Sequence, residues 1–169
     1  LSEKGFALLT LHRPSNVDDP KILRGILEAL DTIAKDTPIV FPVHPRTRPR
    51  LVETGFDLDP TRWKLMEPIG YLDFLKLEAT AKLVLTDSGG IQEETTVLGV
   101  PCLTLRENTE RPVTIVEGTN ILAQTRPETI LAAYDEFKRS PKDGRIPRFW
   151  DGKAAERIVT ALDELLSDA

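Results

Sequence analysis

Residues 83–94, LVLTDSGGIQEE, combine an apolar strand, a glycine turn and the start of a helix. The first amide N–H groups of a helix have no intrahelical partner, so such a turn can bind a phosphate. Gly89 and Gly90 would let the backbone approach that phosphate closely. Glu94, about one and a half turns into the helix, could accept hydrogen bonds from sugar hydroxyls. The segment predicts a nucleotide or sugar-nucleotide site, and a structural turn capped by Ser88 is the alternative.

Cationic side chains follow other predicted strands. His12 and Arg13 come directly after the first strand, His44 after the second, and Arg111 lies in a charged segment after the fifth. Imidazole and guanidinium groups bind phosphate oxygens. Ligands of parallel sheets bind at the carboxyl ends of the strands, so we expect these side chains to face a common diphosphate. A solvated or structural role is the alternative for each, and Phe74 is either a core residue or a surface for stacking a base.

The elements that must position these residues alternate between strand and helix. Apolar runs predict strands at 6–11, 39–43, 63–66, 83–86, 102–105 and 120–123. Helices are predicted at 19–33, 46–54, 71–81, 90–98, 125–138 and 153–166. Near-continuously apolar strands separated by helices indicate an α/β fold, in which a Rossmann-like parallel sheet carries helices on both faces.

Side-chain spacing also predicts helix ends and buried helix faces. Asp19 should cap the first long helix, and Gly99 should end the helix predicted at 90–98. Thr125 and Glu128 have the spacing of a capping box at the start of the helix predicted at 125–138. We expect the helix at 71–81 to bury Leu72 and Leu75. The predicted buried face of the first long helix comprises Ile22, Leu23, Ile26, Leu27, Leu30 and Ile33. That of the last long helix comprises Ile158, Ala161, Leu162, Leu165 and Leu166.

Composition limits the class of protein. A chain of 169 residues suffices for one domain, or for one lobe of a larger enzyme. The net charge of −5 argues against a nucleic-acid surface, and no apolar run approaches the length of a membrane span. The single cysteine, Cys102, is compatible with a reducing cytoplasm, where we expect the protein to reside. No metal-ligand spacing, Walker motif or GxGxxG occurs, so we expect neither a metal nor a cofactor.

Several segments together carry a family resemblance. They are residues 10–16, 42–45, 86–94, 99–102, 106–112, 117–120 and 151–158, in this order. On these segments the chain closely resembles the C-terminal half of the non-hydrolysing UDP-N-acetylglucosamine 2-epimerases, over essentially its whole length. The resemblance implies that residues 1–169 form one Rossmann-like nucleotide-binding lobe of a GT-B-type enzyme. The N-terminal lobe, which we expect to lie outside this chain, would complete the cleft for a UDP-sugar.

The resemblance also implies residue roles. His12 and Arg111 would contact the diphosphate, with His12 taking part in catalysis. Glu94 would hold the ribose hydroxyls, Phe74 would lie near uracil, and Ser88 would add a hydroxyl contact. The substrate-binding positions that it implies are Arg13, His44, Phe74, Ser88, Gly89, Gly90, Glu94 and Arg111.

Arg13 and His44 match contacts to a second UDP-GlcNAc molecule that activates bacterial members of this family. Many members carry a glutamate where this chain has Ser15, which follows the His-Arg pair after the first strand.

The implied reaction is an isomerisation that interconverts UDP-GlcNAc and UDP-ManNAc, by elimination of UDP to a 2-acetamidoglucal and re-addition. Its product would enter polysaccharide biosynthesis, and the full-length enzyme would be a homodimer. The acid and base carboxylates would belong to the N-terminal lobe, so we expect this chain alone to bind UDP weakly and not to epimerise. The alternatives are a hydrolysing epimerase, the donor lobe of a GT-B glycosyltransferase, or a purely binding domain.

Overall fold

The computed structural model describes residues 2–167 and contains one parallel sheet of six strands. The strands are β1 (Ala7–Thr10), β2 (Ile39–Pro42), β3 (Trp63–Met66), β4 (Leu83–Thr86), β5 (Cys102–Thr104) and β6 (Asn120–Leu122). Their order is β3-β2-β1-β4-β5-β6, which is the order of a Rossmann-type sheet. The chain therefore moves outward from β1 to β3, returns to β4 beside β1, and moves outward again. This reversal creates a switch point between β1 and β4, where ligands of such sheets bind.

The helices connect these strands. They are α1 (Pro14–Val17), α2 (Pro20–Asp36), α3 (Thr47–Thr54), α4 (Tyr71–Thr80), α5 (Gly89–Leu98), α6 (Pro112–Val116), α7 (Pro127–Arg139) and α8 (Ala154–Ser167). The predicted cap of α2 is confirmed, because the Asp19 side chain accepts hydrogen bonds from the Lys21 and Ile22 amides. Gly99 ends α5 in the left-handed conformation, with φ of 66°, also as predicted. The short helices α1 and α6 were not among the predicted elements.

Both faces of the sheet are covered, so the predicted α/β class is confirmed. On one face, Leu9 and Phe41 pack with buried side chains of α2 and α7. On the other, Leu8 and Val84 pack against α4 and α5, with Phe74 partly buried there. Alternate residues of β1 thus face opposite cores, which requires the continuously apolar strand seen in the sequence.

The second strand, β2, tolerates Pro42 because its pairing with β1 ends before this residue. Pro42 lies opposite Met66 of β3, while pairing of β2 with β1 extends only to Val40. The Val43 amide donates to Met66, so the nitrogen of the preceding Pro42 points towards the β1 side, beyond the end of that ladder. The missing N–H of proline therefore breaks no sheet hydrogen bond.

Two local predictions, one in α2 and one at the start of α7, are wrong. Ile22 is 39% exposed rather than buried, because it lies in the first turn of α2, at the edge of the core. The capping box at Thr125 does not form. Its hydroxyl hydrogen-bonds the Glu107 carboxylate at 2.5 Å, and Arg126 occupies the N-cap of α7 without a side-chain capping bond. A nearby carboxylate thus competes with the helix for the threonine hydroxyl.

The predicted inward faces of α4 and α8 are also wrong. Leu72 is 78% exposed and Leu75 is half-buried, while the fully buried side chain of α4 is that of Glu78. The apolar stripe of α8 is present in the sequence, but no residue of this helix is buried among residues 2–167. Spacing identifies the apolar side of a helix, whereas burial needs a partner surface.

No helix among residues 2–167 combines the length and the apolar character needed to cross a membrane.

The exposed stripe of α8 predicts a difference between two equivalent truncations. Leu162 on α8 is 53% exposed, whereas Leu30 on α2 is fully buried. We expect Leu30→Ala to lower the free energy of unfolding by about 2–5 kcal/mol, because it leaves a cavity. Leu162→Ala should change it by no more than about 0.5 kcal/mol. Urea denaturation of both variants checks this, and a large loss for Leu162→Ala would contradict the exposure of α8.

Candidate functional site

A buried carboxylate joins the ends of the two central strands. Asp87, directly after β4, is fully buried. Its oxygens accept hydrogen bonds from the backbone amides of His12, at 3.0 Å, and Arg13, at 2.9 Å, which follow β1. The Asn16 side-chain amide also donates to Asp87, at 3.3 Å, and to the carbonyl of Leu105 after β5, at 2.8 Å. The loops after three strands are thereby held at one place.

Asp87 also orients the imidazole of His12. Nδ1 of His12 lies 2.8 Å from an Asp87 oxygen, and the His12 side chain is 37% exposed. Because an ionised carboxylate only accepts hydrogen bonds, this contact assigns a proton to Nδ1. Nε2 is then the ring nitrogen left for a ligand.

Four of the predicted site residues line one cavity of about 360 Å³ at this edge of the sheet. They are His12, His44, Phe74 and Ser88, and Ile69 and Ile91 complete much of its apolar wall. The ring centroids of His12 and His44 are 5.6 Å apart. The cavity thus combines imidazole groups with an aromatic ring at the switch point of the sheet, a combination suited to a ligand with an anionic and a flat apolar part.

The N-terminus of α5 opens beside this cavity. Ser88 is the N-cap residue, yet its side chain makes no capping bond to α5, so the alternative of a purely structural serine cap is not observed. A Cβ atom added at Gly89 or Gly90 would meet no atom of residues 2–167 within 4 Å, and neither glycine has a positive φ. Neither packing nor backbone conformation therefore requires glycine there. The open space lies where a helix N-terminus binds anions.

The remaining predicted residues lie around the cavity rather than in its wall. The Nε of Arg13 donates to the Asp87 carbonyl at 3.3 Å, which directs this side chain along the β4 loop. Nε of Arg111 pairs with Glu93 at 2.8 Å, and its side chain is 44% exposed. In the structure Arg111 is thus bound to a carboxylate of α5.

Glu94 lines a second cavity, which also borders α4 and α5. Its carboxylate accepts a hydrogen bond from the Tyr71 hydroxyl at 3.2 Å. Tyr71, Glu93 and Trp150 line the same cavity, whose volume is about 460 Å³. The site residues therefore divide between two cavities on the α4–α5 side of the sheet edge.

A polar network that sequence reasoning missed ties the Arg111 loop to α5. The amide nitrogen of Gln92 donates to the Ser88 carbonyl at 3.0 Å, while its oxygen accepts from the Thr109 hydroxyl at 2.6 Å. Asn120 donates to the same Gln92 oxygen at 3.2 Å, and the Arg111 amide donates to Thr109 at 2.9 Å. Gln92 is 17 residues from Thr109 and 28 from Asn120, so spacing along one element gave no signal for these contacts. Asp87, by contrast, stands inside the predicted turn and could have been selected as the polar residue that ends β4.

Glu78 is a second buried acidic residue, and unlike Asp87 it has no hydrogen-bond donor in the described part of the chain. Neither carboxyl oxygen of Glu78 accepts a hydrogen bond from any described residue. Burial, and the neighbouring Glu94 carboxylate, raise the pKa of Glu78 to about 8. Glu78 is therefore a neutral acid at pH 7.

Among residues 2–167, no cluster of three or more histidine, cysteine or acidic side chains is arranged to hold a metal ion.

Comparison with known proteins assigns the family. The family model described as UDP-N-acetylglucosamine 2-epimerase matches residues 1–163. The chain belongs to this family. The family suggested by the sequence is thereby confirmed, and the glycine turn and the histidine-arginine segment lie within the matched range.

Named relatives and a solved structure agree with the assignment. The chain is 46% identical over 162 residues to the UDP-N-acetylglucosamine 2-epimerase of Methanocaldococcus jannaschii, covering 93% of this chain and 44% of that protein. It is 38% identical over 167 residues to the UDP-2,3-diacetamido-2,3-dideoxy-D-glucuronate 2-epimerase of Pseudomonas aeruginosa, covering 97% and 46%. The crystal structure of the M. jannaschii enzyme in complex with UDP-GlcNAc and UDP matches with a TM-score of 0.79 and 44% identity, over 94% of this chain and 45% of that chain.

The chain spans less than half the length of these relatives. It has the fold of one half of a GT-B-type epimerase.

The open α5 N-terminus predicts that a methyl group at Gly89 would hinder an anion without harming the fold. In Gly89→Ala we expect unchanged or slightly raised stability, by up to about 1 kcal/mol, because alanine restricts the unfolded chain. Binding of inorganic pyrophosphate, measured by calorimetry, should weaken several-fold. Gly25→Ala is the matched control, since this helical glycine lies on α2 and an added Cβ would make ordinary contact with Pro127 at 3.4 Å. Equal pyrophosphate binding by both variants would contradict an anion site at Gly89.

Proposed function

We propose that this chain is the UDP-sugar-binding half of a UDP-N-acetylglucosamine 2-epimerase, which interconverts UDP-GlcNAc and UDP-ManNAc. The observation that carries the proposal is the cavity where His12, His44, Phe74 and Ser88 meet beside the open N-terminus of α5. The family assignment and the M. jannaschii structure with UDP-GlcNAc and UDP support the choice of ligand.

The diphosphate would bind at the N-terminus of α5. The first amides of that helix and the Ser88 hydroxyl supply neutral donors, and Nε2 of His12 supplies one more when the ring is protonated. Arg111 would join them by turning its exposed guanidinium from Glu93 towards the phosphate oxygens, which match its planar donors. The diphosphate charge then lies against several donors that Asp87 and the Gln92 network hold in place.

The nucleoside would extend over α4 and α5. Phe74 borders the first cavity and offers an aromatic face to uracil. Glu94 would accept hydrogen bonds from the ribose hydroxyls, with Tyr71 holding its carboxylate from the other side. The two cavities would thus bind neighbouring parts of one nucleotide.

The same groups would assist the chemistry through the leaving group. A base removes the C2 proton, the C2–H electron pair forms the C1=C2 double bond, and the C1–O bond breaks with its electron pair leaving on UDP, giving 2-acetamidoglucal. The negative charge that develops on the diphosphate is stabilised by the α5 amides, His12 and Arg111. These groups also retain UDP, so it can add back to C1 while a proton is delivered to the opposite face of C2. The base and the acid would come from the half of the enzyme beyond this chain.

Arg13 and His44 would contact the second UDP-GlcNAc. The His44 ring lies 5.6 Å from that of His12, so an activating nucleotide there would border the substrate diphosphate.

Arg111→Ala tests the diphosphate assignment. We expect UDP binding to weaken by about 1.5–3 kcal/mol, the range for hydrogen bonds to charged groups, in calorimetric titrations at low salt. Arg24→Ala is the matched control, because Arg24 also pairs with a glutamate at 3.0 Å, on α2 and away from the cavity. If both variants bind UDP as the wild type does, Arg111 does not contact the diphosphate.

The chain alone should bind UDP but leave UDP-GlcNAc unchanged, because the proposed base and acid lie outside it. The measurement is NMR of the sugar C2 centre and of free N-acetylmannosamine after prolonged incubation, with the M. jannaschii enzyme as positive control. Conversion to UDP-ManNAc by the chain alone would contradict the division of labour between two halves. Release of UDP and free sugar would indicate a hydrolysing enzyme instead.

A further inference from the structure

Glu78 occupies a position where an ionised carboxylate would be costly. It lies on the inner face of α4 with its residue surface fully buried, and neither of its oxygens accepts a hydrogen bond from the described residues. Buried charges in proteins are otherwise paired or hydrogen-bonded, so this side chain is stable there only with a proton. A protonated carboxyl group has one O–H to donate.

The acceptor for that proton is Glu94. The Glu94 carboxylate lies close enough to accept a hydrogen bond from a protonated Glu78, and its charge raises the cost of ionising Glu78. Glu94 is the less buried of the two and already accepts a hydrogen bond from Tyr71. The proton therefore resides on Glu78, and the negative charge on Glu94.

We propose that Glu78 is a positioning residue for nucleotide binding: its protonated carboxyl group donates a hydrogen bond to Glu94 and holds that carboxylate in place to accept the ribose hydroxyls. This inference rests on the proposed function, because it needs Glu94 to contact a nucleotide. Tyr71 and Glu78 then hold Glu94 from two sides, so its orientation is set before a ligand arrives.

The arrangement makes ribose binding sensitive to pH. The groups that face Glu78 are Tyr71 on its own helix, Glu94 on α5 and Cys102 on β5. Burial raises the pKa of the Cys102 thiol to about 12, and Glu94 raises the pKa of Tyr71 above its usual 10.0. With its pKa near 8, Glu78 is the member of this group that ionises on passing from neutral to mildly alkaline solution. Above that pH it loses its donor and repels Glu94.

The test is calorimetric titration of the chain with UDP at pH values of about 6.5 and 9. For the wild type we expect affinity to fall roughly tenfold at the higher pH, the size of one hydrogen bond to a charged group. Glu78→Gln keeps a donor that cannot ionise, so it should bind like the wild type at the lower pH and retain its affinity at the higher one. Glu78→Leu has no donor and should bind weakly at both.

Two controls separate this role from general damage. With 2′,3′-dideoxy-UDP, which lacks the ribose hydroxyls, all three proteins should bind alike at each pH. Without ligand, the stability of the wild type relative to Glu78→Gln should fall from about pH 4.5 to about pH 8, since the folded state holds the Glu78 proton longer than the unfolded state does.

The outcomes are distinguishable. If the wild type binds neither UDP nor pyrophosphate, the proposed function fails and this inference fails with it. If UDP binds but the wild type and Glu78→Gln share one pH profile, the role of Glu78 is overturned while the proposed function stands. Should Glu78→Leu not fold, the comparison of the wild type with Glu78→Gln decides the question by itself.

Discussion

The hydrogen bonds accepted by the buried carboxylate of Asp87 are the constraint on which the rest of the site depends. They join the loops after β1 and β4, at the switch point where the connections from two neighbouring strands lead to opposite halves of the sheet. Three amide donors satisfy a charge that could not otherwise be buried, and the same carboxylate sets the tautomer of His12. Asp87 therefore does two things at the switch point of the sheet. It joins the two loops, and it fixes the position of the His12 imidazole.

One binding group near Asp87 is held by a pair that a ligand can exchange. Arg111 is bound to Glu93, on the exposed side of α5. Exposed ion pairs contribute little to stability, so replacing one carboxylate by a phosphate costs little. The α5 amides and the open space above Gly89 need no such rearrangement. The structure thus combines a rigid anion site with an adjustable Arg111 guanidinium beside it.

Buried polar groups serve the site in two different ways. In the Gln92 network each amide and hydroxyl has a partner, so it fixes the loop that carries Arg111. Glu78 has no hydrogen-bond donor among residues 2–167 and remains a neutral acid next to Glu94. The first arrangement gives rigidity, and the second makes one contact of the site dependent on a proton. Both lie on the α5 side of the sheet.

The sequence by itself determined the six strands, the main helices, the α/β class and the family, because apolar periodicity, caps and short motifs are local in the chain. It also indicated that His12, His44, Phe74 and Ser88 follow or flank strand ends that meet. Only the tertiary structure decided that Leu72 is exposed and Glu78 buried, that the α8 stripe finds no partner in the described chain, and that Thr125 binds Glu107 instead of capping. Burial and pairing depend on which distant surfaces come into contact, and residue spacing along one element carries no information about that.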